Sequence, residues 1–180
     1  VFSMEGDIAN VPEVLKLANK YQARLVVDDA HGVGIMGPGG RGTSHHFGLE
    51  KDVDLIVGTF SKTFASIGGF VAGDHKVIDL IKHFGRSIVF SASLPPACVA
   101  AARAALKVIR REPERVDRVN ANGHYMRENL RSLGFDIGIS ETPIVPVIVG
   151  DEILTLTLWR ELMENGIYAN PVLYPAVPHD

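Results

Sequence analysis

Three groups of polar residues directly follow apolar, strand-like runs of this sequence, and their side chains are of types that do chemistry. The groups are Asp28 with His31, Thr59 with Ser61 and Lys62, and Ser91 with Ser93. Ligands of α/β proteins bind beyond the carboxyl ends of the strands. We therefore expect the three groups to form one site.

Lys62 has the most distinctive chemistry of these residues. A lysine amine can form a Schiff base with an aldehyde cofactor if burial or nearby positive charge lowers its pKa. Asp28, at the end of a buried strand, can keep a pyridine nitrogen protonated, so that the ring withdraws electrons. His31 is close enough in sequence to reach the phenolic oxygen of such a ring. Thr59 and Ser61 offer hydroxyl donors for a phosphate.

Each of these residues also has an ordinary structural interpretation. A lysine after a strand is usually a solvated surface charge, and paired aspartates at a strand end commonly cap a turn. The glycine-rich run Gly37 to Gly42 lacks the lysine and hydroxyl of a P-loop, so we interpret it as a turn. His45 and His46 are adjacent in sequence, and the side chains of adjacent residues rarely bind the same metal ion. No cluster of cysteines or carboxylates completes a set of ligands, so no metal site is expected.

The elements that position these groups follow from the apolar patterns. Strands are predicted at Leu25 to Val27, Val53 to Val57, Phe70 to Ala72, Ile88 to Phe90, Ile144 to Val149 and Ile167 to Val172. Helices are predicted after the capping residue Asn10 and at Val77 to Phe84, Ala97 to Arg110, Pro113 to Leu133 and Glu152 to Glu164. The alternation predicts an α/β fold with a mostly parallel sheet. We place a domain boundary near Arg111, between a larger domain at 1–111 and a smaller α+β domain at 112–180.

Composition excludes several classes of protein. The 180 residues are 46% hydrophobic and 22% charged, which is typical of an ordinary globular protein. A net charge of -3 gives no electrostatic footprint for nucleic acid or an anionic membrane, and no apolar run is long enough for a transmembrane helix. The single cysteine, Cys98, fits a reducing compartment, and we expect a cytoplasmic protein. Because the sequence opens without methionine and stops after a strand-like run, we expect it to be a fragment.

Several motifs in order resemble one known family. They are Val27 to Gly34 (VDDAHGVG), Gly37 to Gly42 (GPGGRG), Gly58 to Lys62 (GTFSK) and Gly68 to Phe70 (GGF). This set resembles the α-oxoamine synthases, which are enzymes of fold type I that depend on pyridoxal 5'-phosphate (PLP). The similarity covers nearly the whole chain, and the ordered motifs make it highly specific.

The resemblance implies a role for each polar group. It implies that Lys62 forms the Schiff base with PLP and later moves the α-proton of the substrate, and that Asp28 pairs with the pyridine nitrogen. It also implies that His31 bonds the phenolic oxygen. The family reaction condenses an amino acid with an acyl-CoA thioester, usually with loss of carbon dioxide.

The resemblance further implies an active site shared across a homodimer. Ser3 would lie near the ring, Thr59 and Ser61 would bind the phosphate, and Ser91 would contribute to the phosphate site of the neighbouring subunit. The family's ring-stacking histidine belongs to an upstream segment, and its carboxylate-binding arginine lies beyond Asp180. Neither role can be assigned in this sequence, so we expect the isolated segment to be inactive.

The substrate and two other classes of function stay open. Ala92 stands where many relatives that use glycine or alanine carry threonine, which favours the serine palmitoyltransferase branch, with L-serine and a long-chain acyl-CoA. The alternatives in the family are 8-amino-7-oxononanoate synthase and glycine C-acetyltransferase. An aminotransferase would share Lys62 and Asp28, but the spacing from Asp28 to His31 argues against it. A non-catalytic partner subunit would not need all three residues.

Overall fold

The computed structural model describes residues 1–178, which form a small three-stranded sheet and a series of helices. Its helices are α1 (Val11–Lys20), α2 (Thr43–His46), α3 (His75–Phe84), α4 (Arg86–Val89), α5 (Pro96–Arg111), α6 (Glu114–Ser132) and α7 (Glu152–Glu164). Its strands are β1 (Val26–Asp28), β2 (Leu55–Thr59) and β3 (Gly69–Gly73). Within these residues, no helix is both long and apolar enough to cross a membrane.

The sheet has the order β1-β2-β3 and brings two of the predicted polar groups to one edge. β1 and β2 are parallel, with Asp28 opposite Val57, so Asp28 and Thr59 both end at the carboxyl edge. β2 and β3 are antiparallel, with Thr59 opposite Gly69. A short connection without a crossover helix joins these two strands, and such a connection produces an antiparallel pair.

Helix α1, which the sequence predicts after Asn10, packs against the residues that precede β1 and β2. The side-chain oxygen of Asn10 accepts a hydrogen bond from the backbone N–H of Glu13 at 3.3 Å, which confirms the expected cap. Two buried apolar residues of the helix and two that lie just before the strands form a hydrophobic core: Val11, Ala18, Leu25 and Val53. This core holds the strands whose far ends carry Asp28 and Thr59.

The predicted strand at Ile88 to Phe90 is wrong, because this segment belongs to helix α4. The backbone N–H of Val89 donates to Gly85, and that of Phe90 donates to Arg86, each at 3.0 Å. In a run of three apolar residues, the spacing of apolar side chains cannot distinguish a strand from a helix. Since no strand lies alongside it in the described residues, the backbone groups of this segment form their hydrogen bonds within one helical turn.

The smaller predicted domain has its helices where the sequence places them. Helix α7 spans Glu152–Glu164 as predicted, and α5 and α6 agree with the predicted helices to within a residue or two at each end. The predicted strands at Ile144 to Val149 and Ile167 to Val172 are wrong, because both segments lie outside any helix or strand. In residues 1–178 neither has a neighbouring strand to pair with. The division of the chain near Arg111 falls between α5 and α6 and stays a prediction.

Candidate active site

A cavity of about 330 Å³ lies at the carboxyl edge of β1 and β2, and both His31 and Lys62 line it. The rest of the lining comes from the same two loops and from a distant segment: Ala30, Ile35, Thr63, Thr142, Pro143 and Ile144. The fold therefore brings together a histidine and a lysine that are far apart in sequence. Of the three predicted polar groups, only His31 and Lys62 are among the residues that line this cavity, so the single site formed by all three stays a prediction.

His31 lies on a tight turn that begins where β1 ends. The backbone N–H groups of Gly32 and Val33 both donate to the carbonyl oxygen of Asp29 at 3.0 Å, and this pair of bonds fixes the turn. His31 is half-buried. Burial lowers the pKa of His31 below its ordinary value of 6.5, and the positive charge of Lys62 lowers it further. The imidazole is therefore predominantly neutral at pH 7 and can donate one hydrogen bond into the cavity.

Asp28 is the last residue of β1, and its side chain is exposed at the sheet edge. Its Oδ1 atom accepts a hydrogen bond from the backbone N–H of Ala30 at 3.0 Å. Within residues 1–178, Oδ2 has no hydrogen-bond or ion-pair partner. One carboxylate oxygen thus orients the side chain, and the other is available to accept a proton donor from a ligand.

The loop from Thr59 to Gly68 presents Lys62 at its tip. The hydroxyl oxygens of Thr59 and Ser61 lie 2.7 Å apart, and Thr59 also accepts from the backbone N–H of Ser61 at 3.2 Å. The backbone N–H of Phe60 donates to Gly68 at 2.8 Å, which closes the loop. The hydroxyl of Thr59 donates to the carbonyl oxygen of Gly68 at 3.1 Å. The role of the Thr59 and Ser61 hydroxyls in an anion site beside the exposed Lys62 stays a prediction.

Thr63 connects the lysine loop to the histidine loop. Its hydroxyl donates to the carbonyl oxygen of Val33 at 3.0 Å. Because Thr63 follows Lys62 directly and Val33 lies two residues after His31, this bond sets the separation of the two functional side chains. Sequence reasoning did not identify Thr63, since nothing in the pattern of residues shows which loops touch.

The far wall of the cavity is built by the segment 140–144, which sequence reasoning also missed. Thr142 is buried, and its hydroxyl and its backbone N–H both donate to the carbonyl oxygen of Gly6, at 2.8 and 3.1 Å. Arg127 donates to the carbonyl oxygen of Thr142. The wall is therefore anchored to α6 on one side and to the N-terminal turn on the other. No local signal in the sequence indicates a pairing between residues so far apart.

Ser3 and Ser91 do not line the cavity. Ser3 is exposed on the N-terminal turn, in which the backbone N–H of Phe2 donates to the carbonyl oxygen of Asp7 at 3.0 Å. Ser91 is exposed on the segment between α4 and α5. Their roles toward a cofactor and toward a neighbouring subunit stay predictions.

His45 and His46 have structural contacts. His45 Nδ1 is bonded to Glu50, whose pKa is lowered chiefly by that hydrogen bond, and His46 packs edge-on against Phe47 with ring centroids 4.8 Å apart. In residues 1–178, no three His, Cys, Asp or Glu side chains are grouped so that they could hold a metal ion.

Comparison with known proteins gives one family and two recurrent kinds of relative. The family described as aminotransferase class I and II matches residues 1–180. A serine palmitoyltransferase of Sphingobacterium spiritivorum is 49% identical over 180 residues, which are 100% of this chain and 45% of that protein. An 8-amino-7-oxononanoate synthase of Alkaliphilus oremlandii is 47% identical over 178 residues, which are 99% of this chain and 45% of that protein.

Solved structures show the same two kinds of neighbour. A serine palmitoyltransferase of Sphingomonas wittichii superposes with a TM-score of 0.93 at 36% identity, over 99% of this chain and 45% of that one. An 8-amino-7-oxononanoate synthase of Francisella tularensis superposes with a TM-score of 0.85 at 25% identity, over 97% of this chain and 52% of that one. A further serine palmitoyltransferase structure contains PLP. The chain thus spans about half the length of the relatives it matches.

Proposed function

Because the chain belongs to the aminotransferase class I and II family, we propose that it is the PLP-binding part of an α-oxoamine synthase. Such an enzyme transfers the acyl group of an acyl-CoA to an amino acid and releases free CoA and carbon dioxide. One observation above all supports this proposal: His31 and Lys62 line a single cavity, and Asp28 ends the strand that leads into the His31 turn. Relatives of the two named kinds, each at 47–49% identity, support the same reaction class.

The residues around the cavity fit PLP. The group needs an amine, an acceptor for its ring N–H, a donor for its phenolic oxygen and donors for its phosphate. Lys62, Asp28 and His31 supply the first three, and the hydroxyls of Thr59 and Ser61 lie beside Lys62 where a phosphate needs donors. When bound, PLP supplies an aldehyde for an amine and an electron-withdrawing ring.

Each side chain then has its own role, and Lys62 has two. Lys62 holds the cofactor through Nζ, and the same amine, when it is not bonded to the cofactor, is the base that removes the α-proton of the amino acid. The carboxylate of Asp28 would accept a hydrogen bond from the protonated ring nitrogen. The neutral His31 donates its N–H to the phenolic oxygen. Ser3 lies near the ring in this proposal, and the wall at 142–144 excludes water from one side.

We propose L-serine and a long-chain acyl-CoA as substrates. The support is the run Phe90 to Pro96, in which Ala92 resembles the serine palmitoyltransferase branch. The relatives themselves do not separate the branches, since serine palmitoyltransferases and 8-amino-7-oxononanoate synthases match almost equally. 8-Amino-7-oxononanoate synthase is therefore the second candidate, supported by the relative from Alkaliphilus oremlandii.

A direct assay separates the branches. Whole protein should be supplied with serine and palmitoyl-CoA, with alanine and pimeloyl-CoA, and with glycine and acetyl-CoA, and release of free CoA should be followed in each. The proposal expects the highest kcat/KM with serine and palmitoyl-CoA. Preference for alanine and pimeloyl-CoA would move the protein to the second candidate, and no turnover with any pair would favour a non-catalytic partner subunit.

The proposed assembly is a homodimer with a shared active site. Ser91 would serve the phosphate site of the second subunit, and its neighbours support an interface there. Ile88, Val89 and Phe90 are apolar but 54%, 52% and 84% exposed. Such a cluster of exposed apolar side chains is typical of a surface that a partner covers. The single cysteine supports a cytoplasmic location.

A further inference from the structure

Asp29 is a buried carboxylate beside the candidate site, and its side chain does not line the cavity. It is 1% exposed. Its Oδ2 atom accepts a hydrogen bond from the backbone N–H of Thr43 at 2.7 Å, and its Oδ1 atom accepts one from the hydroxyl of Thr43 at 2.5 Å. A buried charge usually persists only when it is paired or hydrogen-bonded. Here both oxygens are satisfied by one residue.

The backbone closes tightly around this carboxylate. A Cβ atom at Gly32 would lie 1.9 Å from Asp29 Oδ1, and one at Gly42 would lie 2.2 Å from Oδ2. Gly42 also has φ of +106°, which favours glycine. The carboxylate therefore occupies space that is free only because positions 32 and 42 are glycines. It cannot move unless the backbone at these two positions moves as well.

Asp29 also connects the strand to the histidine turn through its backbone. Its N–H donates to the carbonyl oxygen of Val57 in β2 at 2.8 Å, and its carbonyl oxygen accepts from Gly32 and Val33. It lies between Asp28, the last residue of β1, and His31, which lines the cavity. A shift of Asp29 would therefore turn Asp28 and His31 relative to each other.

We propose that Asp29 is a positioning residue: its bonds to Thr43 clamp the loop 32–43 onto the end of β1 and thereby hold His31 and Asp28 at the separation that the cofactor ring needs. The inference rests on the proposed function for its purpose, but the clamp itself is a property of this chain. Burial raises the pKa of Asp29, and the bonds from Thr43 act in the opposite direction. Those bonds therefore help to keep the carboxylate ionised.

The test uses a pair of neighbouring buried hydroxyls. Thr43→Val removes the hydroxyl bond to Asp29 with little change of shape. Ser44→Ala removes a hydroxyl from the next residue, which is also 1% exposed but has no hydrogen-bond partner for its Oγ within the described residues. Thr43→Ser keeps the hydroxyl and serves as the rescue variant.

The first readout is the titration of His31, followed by NMR in whole protein freed of PLP. We expect the pKa of His31 to rise toward its ordinary value in Thr43→Val, because the released turn lets water reach the ring. We expect it to stay at the parent value in Ser44→Ala and in Thr43→Ser. Identical titrations in Thr43→Val and Ser44→Ala would overturn the proposal.

The second readout is steady-state kinetics of the PLP-loaded protein. Misplacing a reacting group lowers the rate of the chemical step, so kcat of Thr43→Val should fall about tenfold or more, with KM changed less than about threefold. Asp29→Ser, which is too short to reach Thr43, tests the same bonds if Thr43→Val does not fold. A parent protein without a visible PLP band would overturn the proposed function, and the His31 titrations would still decide the role of Asp29.

Discussion

Gly34 lies directly against Thr63, so closely that a Cβ atom at position 34 would come within 2.1 Å of Thr63 Cγ2. The backbone at Gly34 has φ of +85°, a conformation that residues with a Cβ rarely adopt. This contact joins the turn that carries His31 to the loop that carries Lys62. The distance between the two functional side chains is therefore set by their neighbours.

Gly34→Ala should weaken the protein more than a glycine replacement that meets no neighbour. Gly39 provides that control, since its φ is +65° and nothing lies within 4 Å of an added Cβ. Both variants bear the cost of a left-handed alanine, on the order of 1–2 kcal/mol. Gly34→Ala also displaces Thr63, so its free energy of unfolding in urea should fall further, and its affinity for PLP should fall as well. Equal effects of the two variants on both quantities would contradict the role of this contact.

Asp28→Asn should retain PLP but lose most activity. A neutral amide cannot hold the proton of the ring nitrogen, whereas the hydrogen bond from Ala30 to the Oδ1 atom can persist. We expect kcat to fall on the order of 100-fold or more, with the visible absorbance band still present. Asp52→Asn, on an exposed turn away from the cavity, is the control. Turnover near that of the parent would refute the assignment of Asp28.

His31 should make the stability of the protein fall as the solution becomes acidic. Its pKa in the folded protein is lowered by burial and by Lys62, so the unfolded chain binds a proton at higher pH than the folded one. The free energy of unfolding therefore decreases as the pH falls from above 6.5 toward the lowered folded pKa. Urea unfolding at a series of pH values should show a smaller decrease in His31→Gln than in the parent. The same decrease in both proteins would show that the imidazole is not placed as described.

Phe90→Asp should weaken the proposed dimer. Phe90 is 84% exposed on the segment that leads to Ser91, and a carboxylate there would be costly to bury against a second subunit. Tyr125→Asp on α6 is the control, since Tyr125 is 69% exposed and lies on another element. Sedimentation of whole protein should show a dimer for the parent and for the control, and a shift toward monomer for Phe90→Asp. An unchanged dimer in Phe90→Asp would remove Phe90 from the interface.

The sequence predicts the strand ends well because local patterns determine them. A β-branched apolar run that stops at Asp28 identifies both the strand and its edge, and the side chain of Asn10 specifies where α1 begins. Parallel pairing of β1 with β2 then brings Asp28 and Lys62 to the same side. This much of the site follows from residue types and spacing.

The rest of the site depends on contacts between distant segments. Thr142 reaches the cavity through bonds to Gly6, and no pattern in either segment indicates that partner. Asp29 looks like a turn residue in the sequence, and only the enclosure by Gly32 and Gly42 shows it to be buried. Ile88 to Phe90 was mistaken for a strand because its apolar side chains are also compatible with a helix that lies at the surface.

The attachment of PLP to Lys62 is the claim that one measurement tests most directly. Whole protein should be loaded with PLP, reduced with borohydride, digested, and analysed by mass spectrometry for the lysine that carries the cofactor. The account predicts the reduced PLP adduct on Lys62, its loss in Lys62→Ala together with the visible band, and its retention in a control with Lys51→Ala. An adduct on another lysine, or an unchanged visible band in Lys62→Ala, would contradict the account.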